Sequence, residues 1–295
     1  MDDSRPTPPN FLGAPEEASR YDSARVVVLP VALEVTTSYG TGTRGGPAAI
    51  LAASLQVETY DPDFDVDLMS APIHTAPPPA LGGSSPADLV ERIRCAAARL
   101  AADGKWVLGL GGEHTVTLGL VRAAAERHGP LNILQIDAHL DLRSEYDGTP
   151  YSHACVMRRC AEDGHRIVHV GIRNACREEV EFARGRNLPV FWARDCADDD
   201  AWVDAAVDAL RDPVYLTVDV DGLDPSVVRT TGTPEPGGLG WWPTMRLLDT
   251  LFRRREVVGA DVVELAPSGD LASDFAAARL AARLAALALY AKGQT

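Results

Sequence analysis

No stretch of this 295-residue chain approaches 18 consecutive apolar residues, so nothing in it reads as a membrane span. The nearest, Leu271–Tyr290, is rich in Ala and Leu. Arg279 and Arg283 interrupt it at i, i+4 spacing, which places both on one polar stripe of an amphipathic helix packed on a core. A basic surplus is also missing: the formal net charge is −14, which argues against a nucleic-acid partner, whose phosphates require Lys and Arg. Such an acidic surface tolerates a cationic substrate without requiring one. The opening MDDSRPTPPN has no basic segment leading into an apolar one, so no secretory signal is expected. The five cysteines (95, 155, 160, 176 and 196) are odd in number and lack CxxC spacing, and reduced thiols of a cytoplasmic protein are expected. Repeats and low-complexity linkers are absent after residue 20, which makes a single domain over 21–295 the expectation.

What is present begins with residues 1–20, rich in Pro and charge, where only Phe11 and Leu12 offer anchors. An extended arm, mobile or laid against a neighbouring subunit, is expected there. From Arg25 onward short apolar, β-branched runs recur at Val26–Leu29, Trp106–Leu110, Leu131–Ile136, Ile167–Val170, Val214–Val218 and Val257–Val263. Helical patterns such as Ala87–Ala101, Thr115–Arg127 and Trp202–Leu210 lie between them. Fully apolar strands separated by helices predict an α/β fold with a mostly parallel sheet covered on both faces.

The chemistry gathers where these runs end. Leu131–Ile136 leads directly into Asp137-Ala-His139-Leu-Asp141, three ligand types at spacing two, which an extended chain points to one side. Val214–Val218 ends in Asp219-Val-Asp221, and Trp106–Leu110 ends in Gly111-Gly112-Glu113-His114 before a helix. Carboxyl ends of strands are where ligand crevices form in an open parallel sheet. Taken singly, each motif is equally a polar turn or a solvated strand end; three together predict convergence of His114, Asp137, His139, Asp141, Asp219 and Asp221. Four crowded carboxylates need counter-charge, which two divalent cations supply. A mainly oxygen shell with two imidazoles suits Mn²⁺ better than the thiol-rich structural sites of Zn²⁺.

The segments GGEHTVT (111–117), QIDAHLDLR (135–143), YSHACVMRR (151–159), LTVDVDGLDPS (216–226), TGTPEPGGL (231–239) and DVVELAP (261–267) resemble the ureohydrolases, the family that includes arginase and agmatinase. The likeness runs in order from about residue 26 to the C-terminus. It implies a three-layer α/β/α domain, an arginase-like fold, and a homo-oligomer, trimer or hexamer. It also implies that Asp137 and Asp219 bridge two Mn²⁺ ions, with His114 and Asp141 completing one protein shell and His139 and Asp221 the other. Asp224 matches a position that is no ligand and is expected in a turn. The implied reaction is attack of a metal-activated water on a guanidinium carbon, with Asp141 accepting its hydrogen bond. His153 matches the family's mobile histidine that delivers a proton to the leaving amine. Glu264 matches the glutamate that receives the guanidinium, a planar donor that a carboxylate meets with two parallel hydrogen bonds.

Three further features are weighed. Gly40-Thr-Gly42-Thr-Arg-Gly45 matches a dinucleotide-binding string but follows a polar stretch instead of a strand, so an active-site rim is the better expectation. Cys155, two residues beyond His153, is expected to pack in the pocket wall and not to act as a nucleophile. Trp241 and Trp242 are expected at a helix start on the core, or else at a subunit contact. The loop Leu142–Tyr151 and the stretch Thr231–Gly238 resemble the agmatinase branch, which makes agmatine the expected small guanidino substrate. Glu145 and Asp147 are rim candidates for its free amine, whereas Arg143, if it points inward, favours a guanidino acid such as guanidinobutyrate or guanidinopropionate. Two other classes stand beside this: a single-metal deacetylase-type amide hydrolase, and a non-catalytic subunit. The complete ligand set and Glu264 argue against both.

Overall fold

Residues 9–82, 85–197 and 199–293 are described by a computed structural model. In chain order they form β1 (Val26–Val31), α1 (Gly46–Ser54), β2 (Tyr60–Asp61), β3 (Val66–Asp67), β4 (Ile73–Thr75), α2 (Pro86–Ala102), β5 (Trp106–Gly111), α3 (Val116–His128) and β6 (Asn132–Ile136). There follow α4 (Val156–Glu162), β7 (Arg166–Ile172), α5 (Arg177–Gly185), β8 (Val190–Trp192), α6 (Ala201–Asp208), β9 (Val214–Asp219), α7 (Trp241–Arg254), β10 (Val257–Val263) and α8 (Leu271–Tyr290). Eight strands make one sheet in the order β4-β1-β5-β10-β9-β6-β7-β8, and every neighbouring pair is parallel. Strands β2 and β3 form a separate antiparallel hairpin.

The alternation of side chains along a strand sorts the core into two layers. Val26, Val28, Leu108, Leu110, Leu216, Val218, Ala260 and Val262 face the side covered by α1, α6, α7 and α8. Val27, Leu29, Val107, Ile133, Ile167 and Tyr215 face the side covered by α2, α3, α4 and α5. The fold is thus the three-layer α/β/α arrangement with a parallel sheet. The six sequence-read strands are all present, while β4 and β8 add edge strands that were not foreseen. No helix among the described residues is long and apolar enough to cross a membrane.

Of the arm expected over residues 1–20, residues 1–8 lie outside the described residues. Residues 9–20 are packed on the body instead of extended. Phe11 and Leu12 are 1% and 2% exposed and join the core beside Ile50, Leu51 and Ile73. Their backbone N–H groups donate to Thr75 Oγ1 at 2.9 Å and Ser54 Oγ at 3.0 Å. Burying two large apolar side chains is worth about 3 to 6 kcal/mol, which offsets the backbone ordering of only about three residues around them.

The polar stripe of α8 also differs from a solvated one. Arg283 is largely covered and meets Asp61 at 2.8 Å, Asp63 at 2.7 Å and Asp249 at 2.6 Å, tying α8 to the hairpin and to α7. Trp241 opens α7 against the core, and Trp242 is 70% exposed.

Candidate active site

Strands β5, β10, β9 and β6 are adjacent at the centre of the sheet, and the site grows from their carboxyl ends. The register pairs Leu110 with Val262, Val263 with Asp219, and Val218 with Ile136, so the four chains leave the sheet at one level. In sequence β6 follows β5, yet β10 and β9 lie between them. This is a topological switch point, the place where an open α/β sheet forms a crevice.

The six predicted ligand residues meet there. His114 Nδ1 lies 3.2 Å from Asp137 Oδ2, 2.9 Å from Asp141 Oδ2 and 3.4 Å from Asp219 Oδ2. His139 Nδ1 lies 3.1 Å from Asp221 Oδ2 and 3.5 Å from Asp137 Oδ1. Two groupings result, His114–Asp137–Asp219 and Asp137–His139–Asp221, each with its ligand atoms within 4.8 Å of one another and with Asp137 shared.

The charges explain why such a cluster suits cations. Burial, with the Asp137 charge beside it, pushes Asp141 up to about 7. Burial and the charges of Asp221 and Asp137 raise Asp219 well above the carboxylate range. Burial opposes a charge on His139, but hydrogen bonds to Asp137 and Asp221 prevail and push it up to about 12. The carboxylates therefore compete for protons, and divalent cations relieve that competition. His114 Nδ1 is buried without a hydrogen-bond partner among the described residues, although three carboxylate oxygens lie within 3.4 Å. An orphaned imidazole nitrogen among carboxylates is a donor set that fits a metal ion.

A buried polar layer beneath the cluster orients it. Thr217 donates its single hydroxyl proton to Asp261 Oδ1 at 2.6 Å, so its lone pair accepts Nε2–H of His114 at 2.9 Å. That leaves Nδ1 as the unprotonated nitrogen, its lone pair free to ligate a cation among the carboxylates. Tyr215 closes this chain by donating to Asp261 Oδ2 at 2.9 Å. On the next strand, His169 Nδ1 and Gln135 Oε1 are 2.5 Å apart, which turns the Gln135 amide nitrogen toward Asp137 Oδ2 at 2.6 Å. Sequence reading missed both supports. A signal existed: Gln135 and Thr217 each stand two residues before an aspartate of the cluster, on the same strand face.

Further scaffolding comes from loops. Arg173 donates to the carbonyls of Asp221 and Glu235 at 2.6 and 2.7 Å, stapling residues 231–236 over the end of β9. Asp224 braces the same loop by accepting from the N–H groups of Ser226, Gly237 and Gly238. Neither Arg173 nor this use of Asp224 has a local sequence pattern beyond the Gly-Leu-Asp-Pro turn.

Glu264 follows β10 with a φ of +66°, and Asp141 has a φ of +51°. Non-glycine residues in this left-handed region are uncommon, and here they turn carboxylates off the strand direction. Glu264 Oε1 accepts from the backbone N–H of His114 at 2.6 Å, and burial pushes its pKa up to about 8. His114, His139, Asp141, His153, Asp219, Asp221 and Glu264 all line one cavity of about 190 Å³. The Gly40–Gly45 loop contributes Gly40 to its wall and does not join a strand directly to a helix. Arg143 also lines it, with its guanidinium 5.3 Å from the centre of the Tyr146 ring. Glu145 and Asp147, the rim candidates for a substrate amine, are exposed and are not among the residues of the cavity wall.

The family model described as the arginase family matches residues 24–290. An N(1)-aminopropylagmatine ureohydrolase of Synechocystis sp. is 41% identical over 94% of this chain and 93% of its own. An agmatinase of Pyrococcus horikoshii is 38% identical over 84% of this chain and 85% of its own. Among solved structures, the agmatine ureohydrolase of Thermoplasma volcanium superposes with a TM-score of 0.81 at 30% identity, covering 91% of each chain. With the match running through every strand that feeds the cavity, the chain belongs to the arginase family and is a hydrolase of amidino carbon–nitrogen bonds.

Proposed function

We propose that the chain is a binuclear, Mn²⁺-dependent ureohydrolase that converts agmatine to putrescine and urea. The observation that carries this reading is the cavity wall that brings His114, His139, Asp141, Asp219 and Asp221, grouped around Asp137, together with Glu264 and His153. His114, Asp137, Asp141 and Asp219 would hold one ion, and Asp137, His139, Asp219 and Asp221 the other. The bound ions would supply Lewis acidity that makes hydroxide available near neutral pH.

The chain's own groups then carry the rest. The Glu264 carboxylate receives the guanidinium, whose cationic charge favours the ionised form of a carboxyl otherwise raised by burial. Asp141 takes the hydrogen bond of the attacking oxygen and holds it in line. A bond forms from that oxygen to the guanidinium carbon, and the bond from carbon to the alkyl nitrogen breaks. His153 delivers a proton to that nitrogen while Asp141 takes the proton from the attacking oxygen, so urea and a neutral amine result, and the amine then ionises in water.

Two neighbouring substrates are supported by particular observations. Relatives named as N(1)-aminopropylagmatine ureohydrolases match at 39–42% identity, which supports the longer amine. Arg143 in the wall supports a guanidino acid instead. The two cation groupings and Glu264 weigh against a single-metal deacetylase, and the complete ligand set against a non-catalytic subunit. The proposal extends to a cytoplasmic homo-oligomer, trimer or hexamer, for which the exposed Trp242, Leu271 and Phe275 are available as contacts.

The test is urea release by the Mn²⁺-loaded chain from agmatine, N(1)-aminopropylagmatine, guanidinobutyrate and arginine, with Asp137→Ala as control. Urea from agmatine, lost in the variant, is expected. Preference for the longer amine moves the substrate and keeps the chemistry, and preference for guanidinobutyrate makes Arg143 the residue to replace. No urea from any of the four, with two ions bound per chain, sinks the proposal. Light scattering on the same preparation reads the oligomer, and a monomer would remove that part.

A further inference from the structure

His153 is held by a contact that no local pattern announces. It opens a short helical turn, His153–Cys155, before α4, and its partner comes from the loop after β1. Thr36 Oγ1 lies 3.1 Å from the His153 backbone N–H and 3.2 Å from His153 Nδ1. The same Thr36 hydroxyl lies 2.8 Å from Glu113 Oε1. Glu113 is fully buried, and its other oxygen accepts the backbone N–H groups of Val35 at 2.5 Å and Thr36 at 2.7 Å.

The direction of these bonds follows from counting protons. A carboxylate only accepts, so the one hydroxyl proton of Thr36 points at Glu113. Its oxygen can then only accept from His153, so the ring proton sits on Nδ1. In the neutral imidazole this leaves Nε2 as the nitrogen that takes up and gives back a proton. Ser152 Oγ at 3.3 Å from Nδ1 is compatible with the same tautomer. Other groups around the ring are Tyr146, edge-on at 5.5 Å and itself contacted by the Arg143 guanidinium, and the imidazoles of His114 and His139. None of these fixes the tautomer.

We propose that Thr36, braced by Glu113, is a positioning residue that holds His153 in one orientation and one tautomer, with Nε2 as its working nitrogen. This rests on the proposed role of His153 as the proton donor to the leaving amine. A ring free to rotate or to carry its proton on Nε2 would spend much of its time in the wrong state for that transfer. Thr36 therefore acts on the chemical step and not on guanidinium binding, which belongs to Glu264.

The experiment compares the Mn²⁺-loaded wild type with Thr36→Val, Thr36→Ser, His153→Ala and the Thr36→Val/His153→Ala double variant. The substrate is whichever of the four guanidino compounds above is turned over. Thr36→Val keeps the shape and removes the hydroxyl; kcat is expected to fall about tenfold to a hundredfold. KM should stay within about twofold, because no contact to the substrate's ground state is lost. Thr36→Ser should recover most of kcat, and in the His153→Ala background Thr36→Val should have no further effect. Should Thr36→Val fail to fold, Thr36→Ala against Thr36→Ser carries the same comparison. Wild-type kcat in Thr36→Val beside a crippled His153→Ala overturns the inference alone. So does an equal loss in both backgrounds, which would mark Thr36 as merely structural. Wild-type kcat in His153→Ala overturns the reading of His153 and this inference with it.

Discussion

Cys155 sits two residues beyond His153 and is fully buried. Burial, with the nearby Asp141 charge, pushes its thiol up to about 12. A nucleophilic cysteine needs the opposite, a thiol lowered by a cationic neighbour or a helix N-terminus. We expect Cys155→Ala to keep kcat within about twofold, the range of a buried packing change that removes no group of the chemistry. Loss of all activity in a folded, metal-loaded Cys155→Ala would return this residue to the chemistry. The contrast with the aspartates shows what a sequence exposes at this scale. Asp137, His139 and Asp141 were legible because spacing two along an extended chain is a geometric statement. Thr36 was not, since its partners Glu113 and His153 lie 77 and 117 positions away and only the fold joins them. Gln135 and Thr217 fall between: their place on the ligand face was readable, but a polar residue in a strand has many explanations.

At the level of elements, the site depends on how closely the ends of β6 and β9 approach. Gly222, in the turn after β9, leaves room for a neighbouring backbone: a Cβ there would stand 2.6 Å from Asp137 N and 2.9 Å from its Cα. No flexible side chain is available to yield, so the backbone of Asp137 must move. We expect Gly222→Ala to cost about 1 to 3 kcal/mol of stability by overpacking. Metal affinity should fall about tenfold or more, because Asp137 belongs to both groupings. Metal titration of the apo variant checks this, and wild-type affinity at both sites would refute it. The same closeness explains why the strands carrying ligands were readable while β4 and β8 were not. The central strands are long apolar runs, covered on both faces. Strands β4 and β8 have three residues each, and β4 carries His74 in its middle, so neither leaves a periodic trace.

Across the whole molecule, the order β5-β10-β9-β6 is the property that makes a site out of three motifs and a glutamate. Crossovers decide that order, and the parallel, doubly covered character of the sheet was legible where the order was not. This arrangement has a cost that pH should reveal. The layer beneath the cluster includes His169, fully buried, whose pKa burial depresses from 6.5 to about 3. Below about pH 6.5 the unfolded chain protonates this residue, and the native chain does not until about pH 3. Its contribution to stability is thus complete above 6.5 and is lost progressively as pH falls through that window. The slope for one such group is about 1.4 kcal/mol per pH unit, so roughly 2 kcal/mol is lost between pH 6.5 and 5. Urea denaturation of the metal-free chain, held in chelator at pH 7.5 and pH 5, should show this against His169→Gln. The wild type should lose about 2 kcal/mol more than the variant between the two pH values. Using the apo form keeps proton-driven release of metal from adding its own slope. Equal losses in the two proteins would mean that His169 is protonated in the native state. The Gln135 amide would then accept from an imidazolium, with its orientation toward Asp137 unchanged.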